Sequence, residues 1–211
     1  MRVNPSASAS SRDSSLWEGE KALFFRHWLR RPLGIGAVLP SSAAVAAAMA
    51  GALNLTRPGI VLELGGGTGS LTHGLLASGC PPERLISIER EPGLAALLRR
   101  RFPAIRVIEG DAMALGDILD AYETGRLAGV VSSLPIKWFP FAAQRDVVDA
   151  CFDRLGEGCP FLQLTNALFS PLPMSRLGLG GTQFARVWTH LPPVQIWRYW
   201  RADDRDSSGG P

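Results

Sequence analysis

The chain reads as an α/β protein: a mainly parallel seven-stranded sheet with helices on both faces, closed by an antiparallel strand pair and preceded by an amphipathic helical arm. Three observations carry this. From Gly59 onward, short apolar runs alternate with helix-like segments, the pattern of crossover connections in a sheet covered on both faces. The last two apolar runs, Gln183 to Thr189 and Val194 to Arg201, are separated only by a turn holding Pro192-Pro193, too short for a crossover helix. Ahead of Gly59 two segments, Leu16 to Arg31 and the alanine-rich run to about Leu53, read as helices.

The elements follow in order. Residues 1–15, rich in Ser, Ala and Asn, and the tail 203–211 carry too little apolar surface to order themselves. Leu16 to Arg31 is expected to be helical, with Leu16, Leu23, Phe24, Trp28 and Leu29 at helical spacing and Pro32 as the stop. After a Gly/Pro loop, Ser41 or Ser42 is expected to cap an alanine-rich helix to about Leu53. These helices form an arm, 16–54, ahead of a catalytic domain, 55–202. Strands are expected at Ile60–Leu64, Arg84–Glu89, Ile105–Glu109, Leu127–Ser132 and Phe161–Thr165. Helices are expected at Ser70–Ala77, Pro92–Arg101 and Phe141–Leu155.

Composition narrows the function classes. The chain has 211 residues, of which 46% are hydrophobic, enough for a sizeable core. No apolar run approaches the ~20 residues of a membrane-spanning helix, and residues 1–15 have no apolar stretch of signal-peptide type; the expected location is the cytoplasm. Cys80, Cys151 and Cys159 are odd in number and lack metal-ligand spacing, so free thiols and no metal are expected. The net charge of +3 and the pI near 9.0 rest on arginine, Lys21 and Lys137 being the only lysines. That is weak evidence for a polyanionic partner.

The chemistry lies in the segment Glu63-Leu64-Gly65-Gly66-Gly67-Thr68-Gly69, which ends one strand and opens a helix. Glycines there let the backbone approach a ligand closely. The dinucleotide spacing G-x-G-x-x-G fails because Ser70 holds the third position, and no Gly-Lys-Ser/Thr follows to make a P-loop. The fit is to E-x-G-x-G-x-G, through Glu63, Gly65, Gly67 and Gly69. An acid at this point suits a ligand with an ammonium and no phosphate. The next strand ends in Glu89-Arg90, where a carboxylate can take two ribose hydroxyls. The third ends before Asp111-Ala112, and Asp111 can accept from an adenine amino group.

This constellation resembles the class I methyltransferases, over roughly residues 55 to 200. The resemblance implies a Rossmann-like fold and S-adenosyl-L-methionine as cofactor, with S-adenosyl-L-homocysteine as product. Glu63, Leu64, Gly65, Gly67, Gly69, Glu89, Arg90, Asp111, Ala112 and Ser132 would be the cofactor residues. The fourth strand leads into Ser132-Ser133-Leu134-Pro135-Ile136-Lys137-Trp138. Ribosomal RNA adenine dimethylases have Asn-Leu-Pro-Tyr at this point; here the Leu-Pro is kept while the Asn and Tyr are absent, so a nucleic-acid acceptor is not expected.

Phe24-Phe25-Arg26-His27-Trp28-Leu29-Arg30-Arg31-Pro32, Gly36 to Ser42, Ser133-Leu134-Pro135 and Trp197-Arg198-Tyr199-Trp200 together resemble the bacterial phospholipid N-methyltransferases. That similarity implies stepwise N-methylation of phosphatidylethanolamine toward phosphatidylcholine by a protein held peripherally on the inner face of the cytoplasmic membrane. Its expected partners are an anionic membrane surface and the phospholipid substrate, with no obligate protein partner. Lys21, Arg26, Arg30, Arg31 and Trp28 give the arm a basic-aromatic face for such a surface, at about 1 kcal/mol per basic residue; packing on the sheet is its other use. Ser133, Leu134 and Pro135 are expected to orient the amine. Arg186 or Arg198 is a candidate for the lipid phosphate, and Trp138, Trp197 or Tyr199 for the methylated ammonium. Tyr199, His190 and His27 are each candidates for the proton acceptor, and nothing in the sequence selects among them. Two other classes stay open, a ribosomal RNA adenine methyltransferase and a non-catalytic membrane-binding module of the same fold.

Overall fold

The computed structural model describes residues 40–187 and 193–202. The expectations for the helix from Leu16 to Arg31, for Lys21, Arg26, His27, Trp28, Arg30, Arg31 and His190, and for both terminal segments lie outside the described residues.

The elements are α1 (Pro40–Ala52), β1 (Ile60–Leu64), α2 (Ser70–Ala77), β2 (Leu85–Glu89), α3 (Pro92–Arg101), β3 (Arg106–Glu109), α4 (Leu115–Ala121), β4 (Leu127–Ser132), α5 (Phe141–Phe152), β5 (Phe161–Thr165), β6 (Leu179–Val187) and β7 (Val194–Arg201). They build one seven-stranded sheet in the order β3-β2-β1-β4-β5-β7-β6. The first five strands are parallel, because a helical or looped crossover returns the chain each time to the same edge. β7 runs antiparallel between β5 and β6, since no helix separates β6 from β7. The class I, Rossmann-like fold expected from sequence is the fold observed.

β2 and β3 each begin one residue later, and α5 ends three residues earlier, than the sequence reading; three larger differences have a physical reason. The alanine-rich helix starts at Pro40, ahead of the serines expected to cap it, because proline's fixed φ and missing N–H suit the first helical position. This helix also belongs to the catalytic domain and not to an arm. α1 lies within the compact unit that holds the sheet, and its Val45, Met49 and Leu53 are buried in one cluster with Val61, Leu75, Val131, Leu162 and Ile196. α1 lies so close to α2 that a Cβ on Gly74 would stand 2.0 Å from Ala46 Cβ. β6 begins at Leu179, four residues early, where Gly180 and Gly181 hid the strand. α4, in the segment Leu115–Ala121, was not anticipated.

Strand order places the site. From β1 the chain winds outward to β2 and β3, then crosses to β4 on the other side. β1 and β4 are therefore the topological switch point, and their carboxyl ends diverge into a crevice. Leu64 and Ser132 are register partners there, and the glycine loop and the Ser-Leu-Pro segment leave from them.

Candidate functional site

The glycine loop is fixed by positive φ at Gly65 (81°), Gly67 (54°) and Gly69 (86°), conformations that cost a side-chain-bearing residue ~1–2 kcal/mol. Their surroundings differ. A Cβ on Gly65 would stand 2.9 Å from Ser133 Oγ, whereas one on Gly67 would meet nothing within 4 Å. Gly67 thus faces open space, and Gly65 is pressed against the β4 loop. Gly66, which the E-x-G-x-G-x-G spacing leaves free, proves the most confined. A Cβ there would lie 2.3 Å from Ser87 Oγ and 2.7 Å from Leu98 Cδ1, so the loop is packed down on β2 and α3.

Glu63 lies beneath this loop, fully buried. Thr72 Oγ1 donates to its Oε2 at 2.7 Å, and a Cβ on Gly66 would come within 3.5 Å of the same oxygen. Burial pushes the Glu63 carboxyl up from its ordinary range, while the hydroxyls of Ser87 and Thr72 pull it down. A carboxylate so enclosed supports the loop from below and offers no surface to a ligand above, which corrects the expectation of a direct contact.

Glu89, at the end of β2, is also buried, and holds the loop from the side. Its Oε2 accepts from Gly67 N–H at 2.8 Å and its Oε1 from Glu91 N–H at 2.9 Å. Each oxygen keeps a free lone pair, and together they form a fixed pair of acceptors beside the open face of Gly67. Glu91 in turn caps α3 by accepting from Leu94 N–H. Asp111 Oδ1 accepts from Met113 N–H at 3.0 Å, and its Oδ2 pairs with Arg90 at 3.2 Å, both side chains half exposed. Ala112 is buried. The structure therefore brings Gly67, Glu89, Arg90 and Asp111 to one rim, at the ends of β1, β2 and β3.

On the β4 side, Ser133 Oγ donates to Gly65 O at 2.6 Å and Ser133 N–H to Leu64 O at 3.0 Å, so this residue locks the two loops together. Ser132 is buried, its Oγ within 3.4 Å of Leu134 N. Sequence reasoning missed two residues that shape this segment. Gln163 Nε2 of β5 donates to Leu134 O at 2.9 Å, and Gln144 Nε2 of α5 donates to Phe139 O at 2.9 Å. Both are buried. A glutamine inside the apolar run Phe-Leu-Gln-Leu-Thr was a legible signal, because a buried amide must find partners.

The remaining expectations separate by face. Tyr199 is fully buried on β7, stacked on Trp197 and edge-on to Phe161. Its hydroxyl lies 2.8 Å from Ser170 Oγ, which itself donates to Leu172 O. Burial pushes its pKa up to about 12. Tyr199 is a core residue, so neither the proton-acceptor nor the ammonium-contact expectation holds for it. Trp197 is opposite Gln163 in the register, next to the strand that braces Leu134. Trp138 is 64% exposed just beyond Pro135. Arg186 is opposite Gln195, whose other partner is Thr165 at the carboxyl end of β5, so Arg186 lies at the rim. Arg198 is opposite Leu162, mid-sheet and on the other face from Arg186, which stands on the edge strand β6.

No protein-family model matches the chain. It is 32% identical over 146 residues to an ornithine lipid N-methyltransferase of Singulisphaera acidiphila, an alignment spanning 68% of this chain and 76% of that protein. The chain belongs to the class I S-adenosylmethionine-dependent methyltransferases. This methyltransferase is also 37% identical over 95 residues to a ribosomal RNA small subunit methyltransferase A of Synechococcus, across 44% of its own length and 31% of the relative's. Among solved structures, a TehB-like methyltransferase of Corynebacterium glutamicum superposes with a TM-score of 0.55 at 16% identity, covering 87% of this chain and 99% of that one. The magnesium protoporphyrin IX methyltransferase of Synechocystis does so with a TM-score of 0.58 at 13% identity, covering 93% and 100%. At these identities the solved structures establish the shared fold. No helix among the described residues is long and apolar enough to cross a membrane.

Proposed function

We propose that this methyltransferase transfers methyl groups to the amine of a membrane-lipid headgroup, phosphatidylethanolamine being the acceptor that the sequence resemblance favours. The observation that carries the lipid class is the 32% identity to an ornithine lipid N-methyltransferase over most of both chains. It also puts forward a second acceptor, the amine of an ornithine lipid.

S-adenosylmethionine, when bound, supplies a methyl group on a sulfonium as the electrophile. The chain fits that cofactor on two counts. The backbone at Gly67 opens onto unfilled space, and beside it Glu89 presents two anchored carboxylate oxygens, the pair a vicinal diol requires. Asp111 and Ala112 would border the adenine. The absence of a cationic side chain in Glu63 to Gly69 and the presence of Glu63 beneath favour an ammonium over a phosphate there.

The protein's part is alignment and exclusion of water. Ser133 ties the β4 loop to the glycine loop, so cofactor and acceptor sites cannot drift apart. The Ser133 hydroxyl retains acceptor capacity for the incoming amine. Gln163 sets the direction of the Leu134 carbonyl. Arg186 would take the lipid phosphate, with Trp197 and Trp138 meeting the growing cationic headgroup.

The test is transfer of label from S-adenosylmethionine to vesicles holding phosphatidylethanolamine, to vesicles holding ornithine lipid, and to RNA. Label in phosphatidylethanolamine is the expected result, and label in ornithine lipid alone changes the acceptor but not the class. Label in RNA alone defeats the proposal in favour of a base methyltransferase. Cofactor binding without transfer to any of the three defeats it in favour of a non-catalytic module.

A further inference from the structure

The loops that follow β4 and β5 display large apolar side chains to solvent. Trp138 is 64% exposed, Leu168 72% and Phe169 81%. Single exposed apolar residues are ordinary, but these stand on two loops leaving adjacent parallel strands, where Ser132, the end of β4, pairs with Gln163, two residues before the end of β5. Neighbouring strands are ~5 Å apart.

The display is held in place. Ala167 N–H donates to Thr165 Oγ1 at 3.0 Å on one side of the Leu168-Phe169 pair. On the other side Ser170 is tied to the buried Tyr199 hydroxyl and to Leu172 O. The hydrogen bond of the buried Tyr199 hydroxyl thus holds the base of the loop that carries Leu168 and Phe169. The turn bearing Trp138 is braced likewise by Gln144 through Phe139 O.

Charge adds direction. Segments 133–140 and 166–178 contain no Asp or Glu, and their charged residues are Lys137 and Arg176. Lys137 Nζ lies 5.7 Å from the Trp138 ring centroid. Arg176 Cζ lies 3.8 Å over the ring of Phe141, the residue after Pro140. Three side chains offer far less than the ~800 Å² per partner of a stable protein interface, but apolar tips on loops whose charged residues are both basic match an anionic bilayer, where the tips enter the acyl boundary and the cations stay among phosphates.

We propose that Trp138, Leu168 and Phe169, with Lys137 and Arg176, form a docking surface for an anionic lipid bilayer, separate from the basic-aromatic arm. The inference rests on the lipid-methylation reading for its purpose, since such docking sets the crevice between β1 and β4 against the headgroup layer.

The experiment labels position 169 with an environment-sensitive fluorophore, using the full chain with Phe169→Cys and Cys159→Ser; Cys80 and Cys151 are buried and shielded from the reagent. Vesicles of phosphatidylglycerol and phosphatidylethanolamine should shift the emission to the blue, and pure phosphatidylcholine vesicles should shift it much less. Independently, Leu168→Ser/Phe169→Ser, unlabelled, should bind the anionic vesicles about tenfold more weakly in flotation. Protein that floats with its emission unshifted, or a double variant that floats as the parent does, overturns the proposal, as does a parent chain that fails to float. Methyl transfer by the parent to lipid in the same vesicles is scored separately. Transfer without a shift sinks only the docking surface, and a shift without transfer sinks only the acceptor.

Discussion

Alanine at Gly66 isolates the packing that holds the cofactor loop down. The added Cβ stands 2.3 Å from Ser87 Oγ and 2.7 Å from Leu98 Cδ1, where relaxed contacts are ~3.5–4 Å. Ser87 and Leu98 are both fully buried, so neither can swing into solvent. Gly66 is outside the left-handed region, so backbone strain plays no part. Overpacking of this kind costs ~1–3 kcal/mol, and alanine's reduced freedom in the unfolded chain offsets ~0.4–1 kcal/mol of that. The net expectation is a loss centred on ~1.3 kcal/mol, equivalent to roughly 3–5 °C in Tm for a chain of this size. Urea and thermal unfolding without cofactor measure it. Ser87→Ala added to Gly66→Ala removes the nearer contact and should restore part of the loss. Gly67→Ala makes the contrast: nothing lies within 4 Å of its Cβ, so its damage should fall on cofactor affinity more than on overpacking. A Gly66→Ala protein as stable as its parent, or a double variant with strictly additive losses, would refute the argument that the loop is wedged between β2 and α3.

Three further outcomes follow from the same geometry. Glu89→Gln keeps the shape but turns one NH2 against the N–H of Gly67 or Glu91, so stability should fall by ~1–3 kcal/mol and S-adenosylmethionine affinity should fall with it; calorimetric titration showing parental affinity would remove Glu89 from the site. Glu63 makes the cofactor-free protein pH-sensitive. Burial raises its folded pKa above the ordinary value of 4.5, so between the two values the native state binds more protons than the unfolded state, and stability declines as pH rises from about 4.5 through the folded pKa. Glu63→Gln should flatten that decline in a series of thermal melts, and an unchanged slope would mean the buried carboxylate is not its source. Tyr199→Phe removes one hydrogen bond of Ser170 Oγ, which keeps its bond to Leu172 O, costing ~0.5–1.5 kcal/mol, while kcat per folded molecule with a soluble amine acceptor should hold; a tenfold fall in that kcat at unchanged cofactor affinity would return Tyr199 to the reaction.

Much of the fold was legible because crossover helices and hairpins leave unmistakable punctuation. Ile60–Leu64, Leu127–Ser132 and Phe161–Thr165 are strands to the residue, being short apolar runs between turn signals. β6 was misread at its start because glycines carry no strand signature. α1 was misassigned to an arm because an alanine helix has no polar face by which sequence could show what it packs against, and its burial on α2 is decided by Gly74 and Ala46 meeting across the helix pair.

The candidate site divides in the same way. By itself the sequence determined the chemistry: glycines at 65, 67 and 69, with Glu89 and Asp111 at successive strand ends, exclude a phosphate cradle and call for an ammonium-bearing nucleoside. Those facts are local, set by residue type and spacing along the chain. Which groups face the ligand was decided only in three dimensions. Glu63 and Tyr199 both read from sequence as site residues, yet one lies under the loop and the other in the core. Gln163, read merely as part of a strand, holds the Leu134 carbonyl. The reason is that a strand's pleat and its register with neighbours fix the face and depth of every side chain, and neither can be counted along a single segment.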